Sequence, residues 1–487
     1  MDDPAVLALR GRLLKDSART SGSAPDRRRL YREAGDAYAR AGAVDGSTYP
    51  LINAASLARL AGDQAEASER AGAVLDRGDD PDETPYYQAA TRAEALLLLG
   101  RVDEAKAALA EAVARAPRAW EDHASTLRQF RLILAETGGD ADWVDILRPP
   151  RCLHFAGHMA LEADAQVLER SIREVLEREQ VGFGFGALAA GADIVIAEAL
   201  LERGAELHLM LPTERDAFKG ASVAGFGPEW ETRFEAVIAR AETVRAVGPS
   251  RDAPGRAEIE LAAEVAMGAA AMKARVLLTE AVQLLVLDGD APEAGVSGLI
   301  ASVWAPSGRR QHRLVSPRHG GAGPFRPEPS GADRPCAMLS VQFAGGVEAP
   351  SGLAEAVDSG SPPLWPPRWS GERLLLAYAG PADAATAAER IARSGDLRVG
   401  GHYALVQPAE DPFGGPPRLL GAEAGLAEQI AATAPPGAIH LSGDFAFALH
   451  AGAGEGLHTE YVGDLPAEPG EEAVPLYALR SLTGRAP

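Results

Sequence analysis

Three glycine-containing stretches offer residue types suited to holding an anion. Gly157 and His158 close the apolar run "CLHFAG". Gly182, Gly184 and Ala187 satisfy a G-x-G-x-x-A spacing, while Gly186, Gly191 and Asp193 sit where the next helix begins. Asp288 and Gly289, followed by Gly295-Val296-Ser297-Gly298, form the last of the three. Absent side chains let backbone approach a phosphate, and amides at a helix start point toward it. The dinucleotide spacing is incomplete, because "REVLEREQ" before Gly182 reads as helix where the pattern requires a strand. His158, Glu198 and Asp288 are the side chains whose convergence on these loops would permit acid–base chemistry. Glu198 falls inside a helix, where a structural role is equally compatible. His154 and His158 are four apart, but on a strand and its exit, so they make no helical metal pair and no metal site is expected. The chain has no Gx4GK[ST], HExxH or CxxC motif. In "AGVSGL" a glycine stands one position early for a nucleophile elbow.

The elements that must position these residues belong to a chain of 487 residues, long enough for two to four domains. Hydrophobic residues make up 46% and charged ones 24%, with a net charge of −21. That balance disfavours nucleic acid and anionic membranes as partners. The basic stretch "SGRRQHRLVSPRHG", Ser307 to Gly320, reads as a solvated linker. Two isolated cysteines, Cys152 and Cys336, fit a reducing compartment. The acidic start lacks the apolar core of a signal peptide, and no apolar run reaches about 18 residues. A cytoplasmic protein is expected.

Residues 1–148 carry helical periodicity and almost no strand signal. "NAASLARLAGDQAEASERAGAVL" and "TRAEALLLLGRVDEAKAALAEAV" align with Gly62 on Gly100 and Ala67 on Ala105. Each reads as a helix, a glycine turn and a second helix. Residues 149–316 alternate strands and helices, which implies a parallel sheet covered on both faces; "VGFGFG" is read there as a glycine loop. Residues 317–336 are a Pro/Gly-rich linker. Residues 337–482 hold "AMLSVQF", "RLLLAYAG", "LRVGGHYALVQ" and "AVPLYALRS" as strands with helices interposed, an α+β pattern.

The first segment resembles tetratricopeptide-type helical pairs, and also the helical region beside the TRAF-binding part of apoptosis signal-regulating kinases, through "YPLINAASLARLAGD", "YYQAATRAEALLLLG" and "STLRQFRLIL". The second is similar to the SLOG superfamily through "HFAGH", "GALAAGADIVIAEALLERGAELHLMLP" and "LDGDAPEAGVSG". That resemblance implies a Rossmann-like domain for nucleotide-derived ligands, although Val296-Ser297-Gly298-Leu299 stands where the family has a tighter Gly-Gly-Thr cradle.

The third segment resembles a class III adenylate/guanylate cyclase domain, with a ferredoxin-like α+β fold, through "LRVGGHYALV", "DPFGG", "APPGAIHLSGDFAFAL", "EYVGDLP" and "VPLYALR". Such enzymes hold two metal ions with two aspartates. Here "LSVQFAGG" puts Gln342 at the first aspartate position, and "RWSGERLLLAY" puts Glu372 at the second. Aligned on Pro435-Pro436-Gly437, the family's ribose-orienting asparagine or serine falls on Gly425 and its phosphate-stabilising arginine on Gln429. Loss of one charge stabiliser costs about 10²–10³ in rate. The family's sites form between protomers, and this chain departs in both halves, so a homodimer does not restore one.

Together these readings describe a multidomain α/β protein similar to bacterial multidomain signalling proteins, with a helical repeat domain, a Rossmann-like domain and a degenerate cyclase domain. The expected function is regulatory. The repeats engage a protein partner, the middle domain senses a nucleotide-derived small molecule, and the pseudo-cyclase supports a homodimer. The alternatives are an enzyme acting on a nucleotide or NAD-type substrate through the middle domain, and residual cyclase activity.

Overall fold

The computed structural model describes residues 3–78, 80–159, 161, 165–249, 253–288, 295–318, 333–343, 352–370, 372–410, 418–420, 423–452, 457–466 and 473–481. The chain divides into two compact units: Met1–Pro149 with Val276–Thr279, and Pro150–Arg275 with Glu280–Pro487.

The first unit is helical: α1 (Pro4–Thr20), α2 (Ala24–Asp45), α3 (Thr48–Leu60), α4 (Gln64–Arg77), α5 (Pro85–Leu98), α6 (Val102–Arg115), α7 (Trp120–Thr137) and α8 (Asp142–Asp145). The α3–α4 and α5–α6 turns are alike. Gly62 and Gly100 both take positive φ, +93° and +75°, as a residue just past a helix end commonly does. The Gly62 and Asp63 amides donate to the Arg59 and Ala58 carbonyls, and the Gly100 and Arg101 amides to Leu97 and Leu96. Ala67 and Ala105, at matching places in the second helix of each pair, are fully buried.

The second unit begins with β1 (Arg151–Gly157), α9 (Gln166–Arg178), β2 (Val181–Gly186), α10 (Ala192–Glu202), β3 (Glu206–Leu211), α11 (Arg215–Ser222), α12 (Pro228–Ile238), β4 (Thr243–Ala246), α13 (Arg256–Val276), β5 (Ala281–Leu287), α14 (Gly295–Trp304) and β6 (Gln311–Val315). Its six strands are all parallel, in the order β4-β3-β2-β1-β5-β6. The core strand β5 is buried at every position, as expected of a strand covered on both faces.

Two expectations change here. "VGFGFG" is a strand and not a loop: β2 pairs with β1 and β3, and its phenylalanines are buried on either side of Gly184. The basic stretch after Ser307 is not a solvated linker throughout. Gln311–Val315 forms the edge strand β6, and the neighbouring charges have partners. Arg310 and His312 both reach the buried Glu179, at 3.1 and 3.0 Å. Opposite charges nearby, including the Arg151–Glu280 pair, let a basic run lie along a sheet edge.

The same unit continues with β7 (Arg334–Phe343), α15 (Leu353–Asp358), β8 (Arg368–Ser370), β9 (Arg373–Tyr378), α16 (Pro381–Arg393), β10 (Leu397–Ala409), β11 (Arg418–Leu420), α17 (Glu423–Thr433), β12 (Ile439–Ser442), α18 (Gly443–Gly452), β13 (Leu457–Leu465) and β14 (Val474–Ser481). The second sheet runs β13-β14-β12-β10-β7-β9-β8, with β11 added on β10. Its neighbours are antiparallel except β10 and β12. On β10, Gly400 faces α17, where an added Cβ would lie 2.2 Å from the Ala431 amide nitrogen, and Gly401 faces Leu441 and Phe445. The alternation of a strand thus puts α17 on one face and α18 on the other.

α13 explains why the two sheets form one compact unit. It is Ala-rich and buried on almost every side, as a helix inside a core must be. Gly268 sits so close to α18 that a Cβ there would meet the Phe447 carbonyl oxygen at 1.6 Å. The Tyr403 hydroxyl of β10 donates to Glu264 of α13 at 2.5 Å. Arg309 donates to the carbonyls of Ala451 and His450 at the end of α18, at 3.0 and 3.1 Å, where a cation meets the negative end of the helix.

Candidate functional site

In the parallel sheet the chain moves outward from β1 to β4, then returns to place β5 on the other side of β1. Such a reversal opens a crevice beyond the carboxyl ends of the two strands, where α/β sheets bind ligands. Gly157 ends β1 here and His158 follows it, Asp288 follows β5, and Gly191 precedes α10. Gly191 has φ +90°, and a Cβ on it would lie 2.3 Å from the Met159 carbonyl oxygen. At Gly157 a Cβ would lie 2.4 Å from that of Ala192. These two glycines let the start of α10 press against the exit of β1.

Asp193 lies in the first turn of α10. Its buried carboxylate accepts from the Gly157 amide at 2.9 Å and the Ala189 amide at 3.2 Å. Burial pushes its carboxyl up to about 7, against the opposing pull of those two hydrogen bonds. The amides of Gly157, at the end of β1, and Ala189, in the turn before α10, are therefore already bound to an internal carboxylate. His158 is also buried, and burial lowers its pKa. Its Nε2 lies 2.9 Å from the Ser316 carbonyl oxygen, which makes Nε2 the donor and Nδ1 an unprotonated acceptor. Among the described residues, that buried Nδ1 has no hydrogen-bond partner. Asp288 pairs with Arg318 at 2.9 Å.

The crevice thus collects Gly157, His158, Gly191, Asp193 and Asp288. Ser297 and Gly298 lie in the first turn of α14, the helix that follows β5. Gly186 ends β2, where a Cβ would meet the Phe155 carbonyl oxygen at 2.6 Å, so its bareness serves packing. Glu198 forms an ion pair with Arg233 of α12, 2.9 Å from its Nε. Gly289 lies outside the described residues.

In the second sheet Gln342 pairs in register with Arg373, so Gln342 and Glu372 come to the same end of β7 and β9. The Gln342 Nε2 donates to the Glu428 carbonyl of α17 at 2.9 Å, and Arg373 binds the Glu428 carboxylate at 2.5 Å. Glu372 is exposed, and its carbonyl accepts from the Phe343 amide at 3.4 Å. Gly425 and Gln429 are both exposed one turn apart on α17, and no atom lies within 4 Å of a Cβ built on Gly425.

One constellation escapes the sequence reading. His402 of β10 bridges Ser442 and Glu423, with Nδ1 2.8 Å from the serine Oγ and Nε2 2.8 Å from the glutamate. Ser442 also accepts from the Phe445 amide at 3.3 Å and so caps α18. Ser442 is only 1% exposed, which keeps its hydroxyl from acting as a nucleophile on an external substrate. The glutamate and the serine lie 21 and 40 positions from His402, and no local spacing announces them.

No protein-family model and no curated protein matches the chain. Among solved structures, the adenylyl cyclase CyaB from P. aeruginosa matches at 11% identity and a TM-score of 0.24, over 30% of this chain and 94% of that one. The adenylate/guanylate cyclase/hydrolase from Silicibacter pomeroyi matches at 15% identity and 0.24, over 30% and 96%. The guanylate cyclase domain of RhGC from Catenaria anguillulae, solved with GTP, matches at 12% identity and 0.23, over 30% and 96%. The structural neighbours are thus adenylyl and guanylyl cyclase domains that span under a third of the chain. Among the described residues, no helix is long and apolar enough to cross a membrane.

Proposed function

We propose that the chain is a regulatory protein whose third segment, 337–482, is a cyclase-like domain without cyclase chemistry, kept for dimerisation or regulation. The observation that carries this reading is the Gln342 side chain, whose amide donates to a main-chain carbonyl of α17. An ionised carboxylate cannot donate, so the position is built around an amide and not around a metal-binding acid. Gly425 and Gln429 supply neither an ordered orienting group nor a cation beside it. The test is incubation of the purified chain with ATP or GTP and Mg²⁺ or Mn²⁺. No cyclic nucleotide is expected. Turnover that disappears in Glu372→Ala would overturn the reading.

The middle segment, 149–316, is the sensor in this scheme, and the helical segment, 1–148, is a tetratricopeptide-like partner-binding domain. The unpartnered Nδ1 of His158 at the β1/β5 crevice supports ligand binding there. Asp193 already occupies the Gly157 and Ala189 amides beside the crevice, so the ligand's recognised part in this reading is a hydrogen-bond donor near His158 and not a phosphate on those amides. Adenosine and ATP compared by calorimetry, with His158→Phe as control, check this. Tight ATP binding indifferent to His158→Phe would count against it.

A further inference from the structure

Between the exit of β4 and the second sheet lies a cavity of about 550 Å³. That volume is within the usual span of small-molecule sites, roughly 300–1,000 Å³. One wall is apolar, from Leu426 of α17, Phe447 of α18, and Val474 and Pro475 of β14. Among the described residues, the charged groups lining it are three carboxylates, Glu423, Asp444 and Asp464, and one guanidinium, Arg245. Arg245 and Asp444 form an ion pair with each other. Glu423 and Asp464 hydrogen-bond to His402 and to the Tyr461 hydroxyl, each at 2.8 Å. No lysine lines the cavity among the described residues.

An anionic ligand would meet two carboxylates here, with the single guanidinium already matched. A cation would meet the opposite field and find an apolar wall for its body. Glu423 is also held in place, since His402 binds it on one side and the Ser442 cap of α18 on the other. A fixed acceptor loses little freedom when a ligand arrives. We propose that this cavity binds a small organic cation, an ammonium or guanidinium group on an apolar body, with its charged end at Glu423.

None of Gln342, Glu372, Gly425 or Gln429 lines the cavity, so its ligand does not depend on what the cyclase positions do. Because the walls come from both sheets, a bound cation stabilises the unit as a whole and raises its melting temperature. The test is calorimetry and thermal melting of the full chain with phenethylamine, agmatine and spermidine, and with 3-phenylpropionate as an anionic counterpart. At least one amine binds and raises the melting temperature, while phenylpropionate does not. Glu423→Gln, which keeps an acceptor for His402, weakens that amine about tenfold. Leu426→Trp, which fills the cavity, abolishes binding while circular dichroism stays unchanged. No binding by any of the three amines at millimolar concentration overturns the proposal. So does equal binding of phenylpropionate, or amine affinity unchanged in both variants.

Discussion

Gln342 and Asp193 are polar side chains held by main-chain groups, and each should respond to substitution against a simpler expectation. Gln342→Asp would place an acid where the proposed cyclase-like frame calls for one, yet it should destabilise the chain. The aspartate cannot donate to the Glu428 carbonyl, and loss of that bond costs about 1 kcal/mol, with carboxylate–carbonyl repulsion added. Urea denaturation of both proteins checks this; an equally stable Gln342→Asp would show that the amide is not required. Asp193 has a folded-state pKa of about 7, raised from an ordinary 3.8. The folded state therefore holds the proton more tightly than the unfolded chain does. Its contribution is fully present below about 3.8 and is lost as the pH rises through about 7. Asp193→Asn does not titrate, and it should be less stable than the parent at low pH because its NH₂ cannot accept from an amide. The stability gap between parent and variant should narrow between about pH 4 and 7, as measured by urea midpoints. A gap that widens over this range would refute the assignment.

At the scale of elements, α13 joins the two sheets through small residues. Gly268→Val would place a branched side chain against the Phe447 carbonyl, where even a Cβ has no room. The expected cost is about 3 kcal/mol or more, seen as a large drop in the melting temperature. Gly72→Ala in α4 provides the contrast: its Cβ meets nothing within 4 Å, so it should be neutral or slightly stabilising. The identity of α13 as a helix was legible from "AEIELAAEVAMGAAAMKARVL", and so were β1, β3 and β5 of the parallel sheet and most strands of the second, because apolar period and run length are local properties. β2 was not legible. Glycines at 182, 184 and 186 look like a loop until the strands and side chains they pack against are known, among them Pro150, Leu200 and Phe155. β6 was hidden for a related reason: the partners of its basic neighbourhood, Glu179 and Glu280, are more than 25 residues away.

At the scale of the whole molecule, the second unit contains two sheets with a shared helical layer. Heat or denaturant should unfold those sheets together. Variants of the full chain that retain Trp304 alone, beside the parallel sheet, or Trp365 alone, beside the second sheet, report each half by fluorescence. Their urea midpoints should coincide, and midpoints that separate clearly would show that α13 does not couple the halves.

In the proposed reading, Gln342, Glu372, Gly425 and Gln429 stand at the positions where a cyclase does its chemistry, and alignment to a frame finds them from the sequence alone. Sequence also exposed the repeated helix–glycine–helix pairs and the alternation of a parallel sheet, because these depend on residue type at short spacing. Only the tertiary structure decided what each of those groups touches. It turned Glu198 toward Arg233, set Asp193 on the Gly157 and Ala189 amides, tied Gln342 to α17, and brought Glu423 and His402 to the lining of a cavity. Hydrogen-bond partners and cavities arise where segments distant in the chain meet, and their identity is settled by packing.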